Sequence, residues 1–439
     1  MSQTPLPANP PWRWAVDLLR DARWLTRERL LLTGCIFAAV SAYLLYWGVG
    51  YYTANGLIAA SGEPLGQDFL NYFAGAQVAA SGQAPLAYDH HWFLDYERRL
   101  VGPVTPRFYA YPPILMLLTL PLAFLSYVPA LVVWTLLGTA LTVVLLGRLV
   151  GWQAAAVATV GAPAAFLNLL LANNGFFTGG LLGGGLMLLD RHPVIAGICF
   201  GCLSYKPHLA VLLPFALAAG RRWRTMLAAA ITVAALATAS LIMFGTPTWS
   251  AFMHQMRFNR ALLETDPQLW HWMLTVFSAT RQFGGPILLA YAFQLASSGL
   301  ALAAVVLVWR RPGATEVKAA ALLVATLLAT PYGQNYDAVI VIFAAAWLGR
   351  EGTRTGFFPW ERQAIVALLV FPIVTVPLAL LANIPLAPVL LWFVLVLLVR
   401  RALCSPVALH SGGLAPARAA VQHQPTVVNR SSARAEMDP

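Results

Sequence analysis

Apolar runs long enough to cross a bilayer recur from Leu30 to Val399, with few charges inside them. A span needs roughly 17–25 such residues. Hydrocarbon offers the backbone no water, so only helices or a closed barrel can cross. The runs are continuous rather than alternating, which selects helices. The expected fold is therefore all-α: a polytopic transmembrane helical protein of roughly 11–13 spans. Charged residues are 10% of the 439, against roughly 25% in soluble domains, so no separate soluble domain is expected.

The net charge of +11 gathers in short stretches between spans. Arg13, Arg20, Arg23, Arg27 and Arg29 precede the first span. Arg221, Arg222 and Arg224 follow, then Arg310 and Arg311, then Arg350, Arg354 and Arg362, then Arg400 and Arg401. Lys and Arg accumulate on cytoplasmic loops, so both termini are expected in the cytoplasm. Nucleic acid is excluded as a partner, because the basic residues form no single stripe. Arg148 and Arg191 cannot both lie inside by simple alternation, which leaves a re-entrant segment open between Tyr111 and Gly220. Cys199 and Cys202 have the spacing of a redox or metal pair, but no second pair or histidine set accompanies them. They read as small residues on a packed helix, and neither a cofactor nor a metal site is expected.

Residues 1–29 read as a cytoplasmic interfacial segment rather than a cleavable signal. Leu30–Tyr51 is the first span, and Thr53–Ala110 a long exterior segment. Tyr111 to about Leu125 reads as the second span and Val128–Leu149 as the third. Ala154–Ala172 and Phe176–Leu189 follow, and then Val194–Gly220, broken at Tyr205-Lys-Pro-His208. Thr225–Phe244 is a span, Gly245–Gly284 a second exterior loop. Pro286–Trp309, Val317–Ala329, Ala338–Leu348, Ala364–Leu381 and Leu386–Val399 complete a transmembrane domain over 30–402. Residues 403–439 have no apolar period and read as a disordered cytoplasmic tail.

In the first exterior segment, Phe69, Tyr72, Phe73, Ala76 and Ala80 recur at helical spacing. They predict a short amphipathic helix on the bilayer surface, with Asp68 at its first position. Two roles fit Asp68: a cap for that helix, or a general base at the mouth of a membrane cavity. Lys206 interrupts an apolar run. An intramembrane ionisable group is a functional candidate, although a lysine can also snorkel to the interface. Arg98 and Arg99 fit a surface helix salt-bridged to Asp95 and Glu97.

Seven short motifs occur in a fixed order: Asp68-Phe-Leu-Asn-Tyr-Phe-Ala-Gly-Ala, Ala84-Pro-Leu-Ala-Tyr-Asp89, Tyr111-Pro-Pro-Ile, Asn174-Gly175, Lys206-Pro-His-Leu, Arg221-Arg-Trp-Arg, and Thr330-Pro-Tyr with Tyr336-Asp337. The set covers about residues 30–400 and resembles glycosyltransferase family 87. These are polytopic enzymes of the GT-C class, and they include polyprenyl-phosphate-mannose-dependent α-mannosyltransferases. The resemblance implies a GT-C-like catalytic domain at 30–402 in a bacterial-type inner or plasma membrane. It implies a polyprenyl-phosphate-linked sugar, commonly mannose, as donor substrate, and a lipid or glycan acceptor. It also implies inversion at the sugar carbon on the periplasmic or exterior face, with Asp68 as base. Many members have Asn-Gly-Gln where this chain has Asn174-Gly175-Phe176, and some place histidine near Tyr336-Asp337, where this chain has none.

Inverting transfer to a hydroxyl needs one base on the acceptor side, cations at the departing phosphate and a groove for the lipid tail. Lys206, Arg257, Arg260 and Arg107 are the candidate donor-phosphate contacts, because cationic side chains and above all arginine bind phosphate. Asp337, Tyr336, Asn174, Tyr72 and Tyr111 are the candidate acceptor or sugar contacts; Asp337 can equally be a water-facing helix cap. A lipid-linked-sugar flippase and a glycan polymerase or ligase are the competing activities. A transporter should show repeated halves, and no internal repeat is evident.

Overall fold

The computed structural model describes residues 11–404, and a helix joined by short turns is the repeating unit throughout. Among the described residues, extended pairing is limited to two isolated bridges. Helix α1 (Pro11–Asp21) turns sharply into α2 (Arg27–Tyr52). A cap of α3 (Asp68–Ala80), α4 (His90–Val101) and α5 (Pro113–Thr119) follows, α5 running on through a 3₁₀ turn, Leu120–Phe124. Then come α6 (Tyr127–Val150), α7 (Trp152–Gly161), α8 (Pro163–Leu171), α9 (Gly175–Leu188), α10 (Pro193–Cys202) and α11 (Leu213–Ala219). The chain continues through α12 (Trp223–Thr265), α13 (Pro267–His271) and α14 (Val276–Gln282). It finishes with α15 (Ile287–Arg310), α16 (Thr315–Ala329), α17 (Val339–Thr355), α18 (Glu361–Ala382) and α19 (Ala387–Cys404). The expected tail lies outside the described residues from 405 onward.

The all-α, multi-pass fold is the one the apolar runs demand, but its spans are unequal. Six helices, α2, α6, α12, α15, α18 and α19, are long and apolar enough to cross a membrane, and α7 with α8, bent by 60°, makes a seventh if taken as one span. That is fewer than the expected 11–13. Among the shorter apolar helices, α16 and α17 are enclosed by protein, so bilayer thickness does not set their length, whereas α10 and α11 keep exposed apolar residues such as Val194, Ile195 and Phe215. Every α16 residue from Val317 to Ala329 except Lys318 is buried, and so is α17 from Val339 to Leu348. Small residues allow this close packing: a Cβ on Gly183 of α9 would sit 2.5 Å from the Phe343 ring of α17.

Three further differences from the sequence reading have physical causes. The segment from Tyr111 to Leu125 does not cross. Tyr111 bonds Tyr72 on the cap at one end, and Tyr127 bonds the Leu65 carbonyl beside the same cap at the other; the helical part of the segment, Pro113–Phe124, is too short to reach the far face. Arg148 and Arg191 then fall at one end without contradiction. Arg350 Nη1 donates to the Arg148 carbonyl at 3.3 Å, and Arg222 pairs with Asp190 beside Arg191. Secondly, the loop expected at Gly245–Gly284 is largely helical. α12 breaks at Gly245 (φ 76°), two residues before Pro247, and its outer half packs on the cap. There Gln255 bonds His90 at 2.7 Å. Thirdly, α3 forms where expected but does not lie exposed: ten of its thirteen residues are buried.

Candidate active site

Asp68 owes its position to a strained turn. Gly66 (φ 75°) and Gln67 (φ 27°) both sit in the left-handed region, and a Cβ on Gly66 would lie 2.7 Å from Leu131. Strain of this kind is retained where the surroundings over-determine it, often at functional sites. The Gln67 amide is tied to the Tyr52 hydroxyl at the end of α2. Asp68 is then the first residue of α3 rather than its cap, and its carboxylate turns inward. Asn173 Nδ2 donates to Asp68 Oδ2 at 2.7 Å, and Arg107 Nη1 lies 3.6 Å from Oδ1. Arg107 itself is shared with Glu63.

Protein encloses Asp68, yet 32% of its side chain stays accessible. Tyr111, His208, Tyr332 and Tyr336 are likewise enclosed but only half-buried. That combination marks the wall of a hollow rather than a packed core. Burial raises the Asp68 pKa above the ordinary carboxylate value; the Asn173 bond and the Lys206 charge oppose the shift, and Asp337 adds to it.

A buried ion pair lies near Asp68. Lys206 Nζ donates to Asp337 Oδ1 at 2.6 Å, with side chains 3% and 1% exposed. The ammonium also lies 4.8 Å from the centre of the Tyr336 ring, a cation–π contact. The second Asp337 oxygen accepts the Gln334 amide N–H at 3.2 Å. Both Asp337 oxygens are thus engaged within the protein. Lys206 does not snorkel outward; it is held inside the protein by a residue far along the chain.

Asn168 ties the Tyr336 backbone to the start of α9. Its Nδ2 donates to the Tyr336 carbonyl at 2.6 Å, and its Oδ1 accepts the Phe176 amide at 3.2 Å. Between α8 and α9 the chain reverses at Ala172 (φ 45°), which aims Asn173 at Asp68. Asn174 follows as the N-cap residue of α9, fully buried, with both side-chain amide atoms unpartnered. Phe176 packs into the apolar core. Tyr72 and Tyr111 meet hydroxyl to hydroxyl at 3.1 Å, their rings edge-on.

Of the sequence candidates, Asp68, Arg107, Lys206, Asp337, Tyr336, Tyr72 and Tyr111 therefore gather at this hollow, and Asn174 adjoins it. Arg257 and Arg260 do not gather there. Both are exposed on the outer half of α12, where they line a separate hollow of about 300 Å³ with Ser250, Met253, His254 and Met256, and Arg260 is paired with Glu264 at 2.8 Å. Arg98 and Asp95 are paired at the surface of α4 at 3.6 Å, whereas Glu97 is fully buried. Asn173, Asn168 and Gln334 were not singled out from sequence. An adjacent pair of amides between two apolar runs was the available signal for Asn173.

Residues 109–331, just over half of the chain, match the profile of glycosyltransferase family 87. No protein of curated function and no solved structure matches. The matched stretch contains Tyr111, Asn174 and Lys206 and stops before Tyr336 and Asp337, while Asp68 and Tyr72 precede it.

Proposed function

Since the chain belongs to glycosyltransferase family 87, and is accordingly a glycosyltransferase, we propose that it moves a hexose, mannose first among the candidates, from a polyprenyl-phosphate carrier to a hydroxyl of a lipid or glycan acceptor. One observation carries this reading: the partly accessible Asp68 lies close enough to the buried Lys206 to feel its charge, one suited to a proton and the other to a phosphate.

In this reading the acceptor oxygen attacks the anomeric carbon while the bond from that carbon to the phosphate oxygen breaks. The hydroxyl proton passes to Asp68, and polyprenyl phosphate leaves. Asn173 holds Oδ2 by a hydrogen bond, so Oδ1, with Arg107 Nη1 3.6 Å away, is the oxygen left to take the proton. A base whose pKa lies nearer the working pH is a better catalyst, and general-base catalysis typically contributes about 10²–10⁴-fold. Lys206 keeps two of its three N–H donors beyond the Asp337 bond, so a donor phosphate can share the ammonium without breaking the pair. Asp337 then acts as a positioning residue rather than a sugar contact, because neither of its oxygens is spare. Arg107 is a second cation at the rim, and the Tyr72–Tyr111 pair with Tyr336 supplies aromatic surface for a sugar ring. A single free carboxylate fits inversion, in which the phosphate leaves as a stable anion.

The distribution of charge supports the orientation. Arg20, Arg23, Arg222, Arg311, Arg350 and Arg400 share the end of the bundle opposite Asp68. By the accumulation of basic residues on the inner face, the hollow opens on the exterior of an inner or plasma membrane, and both ends of the described chain lie inside.

The test uses purified protein in lipid nanodiscs with radiolabelled polyprenyl-phosphate-mannose and a membrane lipid extract. Label should move to an acceptor with the wild type. Asp68→Asn should abolish transfer while its thermal unfolding stays close to wild type. Near-normal turnover in that variant would overturn the assignment of Asp68, and translocation of intact donor without bond cleavage would favour a flippase.

A further inference from the structure

The basic end of the bundle holds another hollow, of about 160 Å³, that the transfer chemistry does not use. It is lined by Asp21, Arg23, Phe357, Phe358, Pro359 and Arg362. Three spans meet beside it: α2 and α18 begin there and α19 ends there. α2 has 26 residues, about 39 Å at 1.5 Å each, and its far end is tied to Gln67 next to Asp68. The two hollows therefore open at opposite faces of the membrane.

The lining is held in place from several sides. Ala22, fully buried at φ 42°, turns α1 into α2. Arg362 Nη1 reaches the carbonyls of Ala22 and Leu25 at 3.3 and 3.4 Å, and the Trp360 amide donates to the Arg20 carbonyl at 2.8 Å. Beneath, Arg401 and Glu361 form a buried ion pair, and Arg401 also fixes the Gly356 carbonyl at 2.9 Å.

The charges do not cancel. Asp21 is already paired with Arg20 at 2.9 Å. Arg23, 87% exposed, approaches Asp21 only at 3.9 Å. Among the described residues, Arg362 and Arg400 have no carboxylate within salt-bridge distance; they rest on backbone carbonyls and lie over the rings of Phe357 and Phe358. Leu18, Leu19 and Trp24 expose apolar surface nearby. Cationic groups, a small hollow, and apolar surface at one membrane boundary describe a headgroup together with the start of its acyl chains.

We propose that this hollow binds the headgroup of an anionic phospholipid from the leaflet it faces. Guanidinium groups bind phosphate in a forked geometry, and the cytoplasmic leaflet is the anionic one. A zwitterionic lipid offers the same phosphate but an added cation that Arg23 and Arg362 repel. A bound lipid would bridge the α1–α2 turn and the start of α18.

Native mass spectrometry tests this on the whole protein, reconstituted with phosphatidylglycerol or phosphatidylcholine of identical chains. The wild type should retain phosphatidylglycerol at least tenfold over phosphatidylcholine. Arg23→Gln and Arg362→Gln should each lower that retention several-fold. Arg23 holds no backbone group, so its variant reads binding apart from folding. Equal retention of the two lipids, or wild-type retention by Arg23→Gln, would overturn the proposal. Displacement of the lipid by millimolar inorganic phosphate would reassign the hollow to a free anion.

Discussion

Asp68 lies between influences that pull its proton affinity in opposite directions. Burial raises its pKa, while the Asn173 hydrogen bond favours the ionised form. A base works when deprotonated, so kcat/KM should rise with pH through the raised pKa. Removing the amide with Asn173→Ala should shift that limb upward. A hydrogen bond to a charged group is worth roughly 1.5–3 kcal/mol, which corresponds to about one to two pH units. A limb that stays in place in Asn173→Ala would separate the titration from Asp68. The Lys206–Asp337 pair makes a second prediction. Removing one partner of a buried pair costs about 3–5 kcal/mol, whereas replacing both by apolar residues is often neutral. Lys206→Met and Asp337→Asn should each lower the unfolding temperature. The double variant Lys206→Met/Asp337→Leu should recover most of that stability yet remain inactive. Recovery of transfer along with stability would mean that the lysine is structural only.

Within the cap, Glu97 of α4 sits beneath the helix that carries Asp68. It is fully buried and neither carboxylate oxygen has a hydrogen-bond partner. Burial pushes its carboxyl up to about 8, with the nearby Asn71 amide moderating the shift. Between its ordinary value of 4.5 and about 8, the folded chain holds a proton that the unfolded chain has released. Its contribution is thus complete below the lower value and is lost as pH rises to the upper one, by roughly 1.4 kcal/mol for each unit crossed. Glu97→Gln should flatten that part of the dependence, measured as unfolding midpoints of variant and wild type across pH 5–8. Identical slopes would show that the carboxyl is not protonated in the native cap.

The same elements show how far a sequence can be read. Hydropathy is a local property, so α2, α6, α15, α18 and α19 were legible almost to their ends, and α12 as far as its break at Gly245. Pro113–Phe124 was not, because its apolar character serves burial against the cap rather than lipid. The carboxylate at 68 and the lysine at 206 stood out as charges in apolar surroundings. Their partners did not: Asn173 meets Asp68 only after the turn at Ala172, and Asp337 meets Lys206 only once α17 packs against α9. Arg257 and Arg260 show the converse, since charge type alone gives no direction, and the face of α12 that meets the cap carries Gln255 and Asn259 instead.

For the whole molecule, the strongest regularity is the separation of a basic end from an end holding the enclosed hollow. That separation predicts an accessibility experiment. In intact cells, a membrane-impermeant maleimide should modify Ser61→Cys, at an exposed position in the cap segment. The exposed native Cys404 at the end of α19 should react only after the membrane is opened. The reverse pattern would place the hollow inside and remove the support that charge gives to the orientation.

The pairing of Lys206 with Asp337 also bears on how the protein is made. The two residues lie 131 positions apart. At about 5–20 residues per second, the ribosome therefore delivers the lysine roughly 7–26 s before its counter-ion. For that interval the nascent chain carries a lone cation in half-inserted helices, a state that its insertion machinery has to shelter. A chain truncated after Ala329 should never leave that state, and rapid proteolytic clearance is its expected fate in a pulse-chase measurement.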